Sequence, residues 1–186
     1  MGHYRLILPL LFSFVLMACA SDSGKEQKKS ATEKPKQEVK IDIPAFAGDS
    51  AYHYVARQVA FGPRVPNTPE HEACGDWLVA RMSLWADNVI EQEAEVEVFN
   101  GELVGMRNII AVFNAEAKKR IMLSAHWDTR PFADQDDDPE KRDVPIAGAN
   151  DGASGVGVLM QIARQLKKQP VEMGVDIVFW DVEDYG

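Results

Sequence analysis

Three short stretches gather acidic residues and a histidine: Ser124-Ala-His126-Trp-Asp128, Gly148-Ala-Asn-Asp151-Gly-Ala-Ser-Gly155 and Asp181-Val-Glu183-Asp184-Tyr-Gly186. The first and third end apolar runs that read as strands, and the second opens a helical pattern. In an open parallel sheet, ligands collect outside the carboxyl ends of the strands, so the three stretches are expected to converge. Carboxylates and imidazoles are the ligands that a borderline-soft cation such as zinc takes; a catalytic site uses three and leaves a position open. His126 and Asp128, two apart on an extended chain, project to one side, so the carboxylate can orient the ring. Gly152, Ala153 and Gly155 keep the approach to Asp151 clear of bulk. The adjacent acids Glu183 and Asp184 point apart from an extended backbone, so one can bind a cation while its neighbour moves protons. Singly, these residues read as a buried histidine, a helix cap and a solvated strand end, but their joint occurrence in this order carries the metal-site reading.

The positioning elements follow from periodicity. Asp49 or Ser50 is expected to cap a helix through Ala51, Val55 and Val59, stopped by Gly62 and Pro63. Thr68 caps a second helix, with Pro69 at its first position and the stripe Cys74, Trp77, Leu78, Met82 and Trp85. In that stripe Cys74 reads as a small core residue rather than a nucleophile. Ala94, Val96 and Val98 alternate with Glu93, Glu95 and Glu97 as in a half-buried strand. Residues 106–113 and 120–125 read as further strands, the latter more fully buried. A helix over 152–168 and an apolar strand over 175–180 complete a crossover between parallel strands. The predicted fold is α/β: a mixed, mostly parallel sheet flanked by helices, with an antiparallel hairpin at one side. The acidic loop 134–143 lacks the glycine and ligand spacing of a calcium loop and reads as a solvated insertion near the pocket rim.

With these motifs in view, the chain resembles the zinc aminopeptidase and glutaminyl cyclase superfamily, and more closely its bacterial glutaminyl cyclase branch. The resemblance covers nearly all of residues 50–186. It rests on Ala125-His-Trp-Asp-Thr-Arg-Pro131, the Gly148 to Gly155 motif and Val182-Glu-Asp-Tyr-Gly186, supported by Phe61-Gly-Pro-Arg-Val-Pro66. It implies a zinc aminopeptidase-like fold, with Asp151 and Asp184 as metal ligands and Glu183 as the catalytic acid and base. His126 matches a histidine that holds a second zinc in the aminopeptidases and is retained without metal in the cyclases, so its role stays open. The implied activity is conversion of an N-terminal glutamine of peptides to pyroglutamate with release of ammonia. The alternatives are a zinc-dependent aminopeptidase and a non-catalytic surface lipoprotein. One zinc is implied for a cyclase and two for an aminopeptidase. The family continues beyond the acid pair to a further acidic residue and a last histidine ligand, and no histidine follows His126 here. An N-terminal fragment, inactive by itself, is therefore expected.

The opening residues suggest an address. Leu6 to Met17 is an apolar run too short to span a bilayer, and it closes on Leu16-Met17-Ala18-Cys19, which resembles a bacterial lipoprotein cleavage site. Residues 1–18 read as a lipoprotein signal peptide and Cys19 as the lipidated residue. Residues 19–40 read as a disordered, lysine-rich tether, and residues 41–186 as the N-terminal part of the catalytic domain. A lipid-anchored place in the bacterial cell envelope is expected. Residues 41–186 hold 13 basic and 25 acidic residues, a net charge of −12. No basic patch is visible, which argues against nucleic acid as a partner. Peptide N-termini are the expected substrates and the membrane is met through the anchor. Beside Cys19 only Cys74 is present, so the domain has no internal disulfide and must be stabilised by its core.

Overall fold

In the computed structural model of this chain, which describes residues 43–184, the elements come in the predicted order. Helix α1 covers Gly48–Val59, α2 Pro69–Met82 and α3 Ala153–Lys168; the strands are β1 Asn88–Glu97, β2 Leu103–Phe113, β3 Arg120–His126 and β4 Gly174–Trp180. The expected signal peptide, lipidated Cys19 and tether lie outside the described residues. Among the described residues no helix is long and apolar enough to cross a membrane.

The start of α2 is as the sequence wrote it: Pro69 stands at the first position and Thr68 Oγ1 accepts the His71 N–H at 3.3 Å. Helix α1 differs. It begins at Gly48 behind Ala47, and no side chain caps it. Asp49 instead sits in the first turn, where its charge suits the positive end of the helix dipole.

The four strands form one mixed sheet in the order β1-β2-β4-β3. β1 and β2 form the expected antiparallel hairpin, β2 pairs antiparallel with β4, and β3 pairs parallel with β4 through the α3 crossover. Register puts Ile109 opposite Phe179, Ala111 opposite Ile177 and Phe113 opposite Val175. These side chains share one core with Cys74, Leu78 and Met82 of α2 and with Val156, Met160 and Ala163 of α3. Each fully buried side chain of Leu or Met size contributes about 1.5–3 kcal/mol relative to exposure. α1 lies tight against α3, since a Cβ at Gly157 would come within 2.7 Å of Val55 Cγ2 and 2.8 Å of the Ala51 carbonyl.

Two strands are less buried than their sequence implied. On β3, Ile121 is 43% and Met122 60% exposed, and on β1 Ala94 is exposed beside its glutamates. Both strands stand at the edges of the described sheet, where side chains have a neighbour on one flank only. The apolar run carried the strand but not its place in the order. Cys74 is completely buried in the core, and that burial pushes its thiol up to about 12, as suits a packing residue.

Candidate active site

The site is assembled at one end of the sheet from the ends of β3 and β4 and the loop before α3. At the end of β3, Trp127 N–H donates to the Trp180 carbonyl at 2.9 Å, which keeps the two strand ends in step as they leave the sheet. The loop before α3 is fixed from another part of the chain. Arg64, fully buried, donates Nη1 to the Ala147 carbonyl at 2.7 Å, Nη2 to the Gly148 carbonyl at 2.8 Å and Nε to the Trp127 carbonyl at 3.3 Å. One planar fork thereby ties the connector after α1, the end of β3 and the loop carrying Asp151. Burial lowers the Arg64 pKa, with Asp128 among the groups acting the other way. Gly148 has φ +57°, and a Cβ there would lie 2.6 Å from the Asp151 carbonyl and 2.7 Å from Arg64 Nη2, so the close approach of this loop requires glycine.

Within this frame the predicted residues meet. His126 Nε2 lies 2.7 Å from Asp151 Oδ1, and Nδ1 lies 3.4 Å from Asp128 Oδ1 and 3.8 Å from Glu183 Oε2. Asp128 is fully buried and accepts the Asp184 N–H at 3.0 Å through Oδ2, while its Oδ1 and His126 Nδ1 form no hydrogen bond. Asp128 is thus beside the imidazole, as expected from the two-residue spacing, but at ion-pair rather than hydrogen-bond geometry. The neighbouring Asp128 carboxylate, against the opposing effect of partial burial, and then Asp151 and Glu183 push His126 up to about 9. Asp151 does not cap α3: Gly152 is the boundary residue and no side chain caps the helix, which leaves the carboxylate to His126.

The acid pair diverges, though not from extended backbone. Val182 is left-handed at φ 61°, a conformation costing about 1–3 kcal/mol for a β-branched residue, so Glu183 and Asp184 sit on a turn. The Glu183 side chain is 63% exposed and faces His126. Asp184 turns inward, accepting the Arg130 N–H at 2.9 Å, with Arg130 Nε 3.4 Å from its Oδ1. Burial holds the Asp184 carboxyl above its ordinary value; Arg130 opposes this, and the charges of Asp151 and Asp128 add to it.

Asp151 and Asp184 line one cavity of about 280 Å³ with Arg130 and Phe132. A second cavity, of about 570 Å³, adjoins Asp184 and is walled by Phe99, Pro131, Phe132 and Arg142. Part of the acidic loop, Asp134 and Asp143, stands on its rim, as the sequence suggested. The donor chemistry fits a divalent cation, because Asp151 and Asp184 line one cavity as carboxylates and a bound cation would offset both the burial that chiefly raises Asp184 and the added repulsion from Asp151 and Asp128. Among the described residues, however, no three His, Cys, Asp or Glu side chains are disposed to hold a metal ion by themselves.

Sequence reasoning left Arg64, Arg130, His71 and Asp181 without roles. Arg64 and Arg130 stood inside the quoted motifs, and an arginine between Gly-Pro and Val-Pro in a turn-rich connector was a usable signal. The His71–Asp181 contact, 110 residues apart in sequence, left none.

Gly152 sets the distance to His126. A Cβ there would overlap the His126 carbonyl and lie 2.7 Å from both Cε1 and Nε2 of the ring. Gly152→Ala is expected to lose about 1–3 kcal/mol of stability in a denaturant titration and to displace the imidazole from Asp151 in a crystal structure of the variant.

A four-stranded mixed sheet flanked by helices, with an acid pair at a strand end facing an Asp–His pair, is a zinc aminopeptidase-like fold. Residues 108–186 match the model of Peptidase family M28. The glutaminyl cyclase of Bacteroides thetaiotaomicron is 53% identical over 78% of this chain and 50% of its own, with a TM-score of 0.77. A Zn-dependent exopeptidase from Parabacteroides distasonis is 51% identical over the same shares, also with a TM-score of 0.77. Among curated proteins, the glutaminyl-peptide cyclotransferase of Bos taurus is 26% identical over 132 residues, 65% of this chain and 35% of that protein. The chain therefore spans about half the length of the solved relatives and less of the curated one.

Proposed function

We propose that this chain is part of a zinc-dependent glutaminyl-peptide cyclotransferase, which cyclises an N-terminal glutamine to pyroglutamate and releases ammonia. The observation that carries the reading is the divided acid pair, with Glu183 exposed toward His126 and Asp184 turned inward beside the Asp151 cavity. It is supported by about 50% identity to several bacterial proteins described as glutaminyl cyclases. Asp151 and Asp184 would hold the zinc, and His126, engaged by Asp151, would orient that ligand. The bound ion would supply polarisation of the glutamine side-chain carbonyl. Glu183 takes a proton from the peptide α-amine as its nitrogen bonds to the side-chain carbonyl carbon. It returns that proton to the departing amide nitrogen, so ammonia leaves and the charge balances.

A second reading, hydrolysis of the N-terminal residue, draws support from the neighbours described as a Zn-dependent exopeptidase and a leucine aminopeptidase precursor. In that reaction Glu183 would activate water instead of the amine. Mass spectrometry of a glutamine-initiated peptide incubated with the full-length protein separates the two. Loss of ammonia with the chain intact supports cyclisation, release of free glutamine supports the peptidase, and an unchanged peptide with no zinc in the protein overturns both.

We further propose that Cys19 is lipidated and anchors the protein in the bacterial cell envelope, on the strength of the Leu16-Met17-Ala18-Cys19 pattern. Labelled palmitate is expected to enter the wild-type protein and not a Cys19→Ala variant. Equal labelling of the two would rule the anchor out.

A further inference from the structure

Beneath the acid pair lies a buried contact that no step of the chemistry uses. Asp181 is fully enclosed at its side chain, and its carboxylate gathers three donors. His71 Nε2 stands 2.9 and 3.0 Å from its two oxygens, the Arg107 N–H donates to Oδ2 at 2.7 Å, and the Val182 N–H donates to Oδ1 at 2.9 Å. The Asp181 N–H in turn donates to Asn108 Oδ1 at 2.8 Å. His71 is itself held, since its ring stacks on Trp127 with centroids 4.2 Å apart and planes 17° from parallel. Trp127 Nε1 donates to the Arg107 carbonyl at 3.2 Å, and this closes a rigid block made from the first turn of α2, the middle of β2 and the ends of β3 and β4.

The next residue after this block is Val182, the left-handed hinge of the turn. A β-branched residue stays at positive φ only where its surroundings leave no alternative. Two constraints act here: the apolar packing of Val182 with Val98 and Val104, and the N–H bond to Asp181 Oδ1. The second depends on where the Asp181 carboxylate points, and His71 bridges both oxygens of that carboxylate. Packing alone would hold the valine but not the orientation of the peptide that leads into Glu183 and Asp184.

We propose that His71, acting through Asp181, is the positioning residue that fixes the left-handed turn at Val182 and so keeps Glu183 toward His126 and Asp184 toward Arg130. The inference rests on the reading of those acids as proton carrier and metal ligand. His71 touches neither substrate nor cation; it sets the angle from which the two acids diverge.

The test contrasts His71→Gln, whose amide nitrogen can reach the Nε2 position, with His71→Asn, whose amide falls short of it; both are polar and neither stacks as the ring does. In the full-length protein, hydrogen exchange resolved to residues 181–184 is expected to quicken about tenfold or more in His71→Asn and to return toward wild type in His71→Gln, with α3 and β4 unchanged. Zinc affinity, read by chelator competition, is expected to fall about tenfold in the Asn variant alone, and kcat to fall with KM held. Equal exchange at 181–184 in the two variants and wild type overturns the proposal, and so does equal loosening across α3 and β4, which would mark a general packing role. A third variant, Asp181→Asn, retains the shape and weakens the bond to His71, so it reproduces the His71→Asn pattern if the proposal holds. Absence of zinc from the wild-type protein would sink the metal reading while leaving the exchange contrast to decide the positioning role.

Discussion

Glu183→Gln in the full-length protein is expected to lower kcat for ammonia release from a glutamine-initiated peptide by about 10²- to 10⁴-fold, the range for loss of a positioned general acid–base. The substitution keeps the shape of the side chain and removes only its ability to carry a proton. Because that side chain is 63% exposed, little packing is disturbed, and melting temperature and zinc content are expected to match wild type. Loss of turnover with intact folding and metal would assign proton transfer to Glu183. A variant with unchanged kcat would move that task elsewhere, and His126, 3.8 Å away, is a titratable group at the site.

The second large effect is on stability. Arg64→Met is expected to cost about 3–5 kcal/mol in a denaturant titration, well above the range for ordinary surface changes. Methionine fills much of the same space but donates nothing, so the carbonyls of Trp127, Ala147 and Gly148 lose a buried partner together. Arg64→Lys is expected to recover only part of the loss, because an ammonium cannot reproduce a planar fork. A loss under 1 kcal/mol in Arg64→Met would show that water or a neighbouring donor replaces the guanidinium.

The parts legible in the sequence were those encoded by near neighbours. Thr68-Pro69 marked the start of α2 and the glutamate alternation marked β1, because each is a matter of a few consecutive residues. The meeting of His126, Asp128, Asp151, Glu183 and Asp184 was also legible, since strand ends in such a sheet lie on one rim. What failed depended on distant partners or on a single torsion. Nothing around Ile121 and Met122 says that β3 stands at an edge of the described sheet, because edge position is set by which strands pair. Nothing in Val182 announces a positive φ, as valine is among the residues least suited to it. Asp49 and Ser50 carried the right side chains for a cap, yet α1 began ahead of both.

The strand order has a consequence for biogenesis. β2 and β3 are made one after the other, yet β4 is the strand that fits between them. A nascent chain that has released β3 but not β4 therefore has no native way to pair these two strands with each other. Both of the backbone edges that await β4 are open throughout synthesis of α3. Open edges of apolar strands are templates for pairing with other chains. The interval between β3 and β4 leaving the ribosome is thus a stage at which both of these edges are exposed, and stalled products ending within α3 should aggregate more readily than those ending after Trp180.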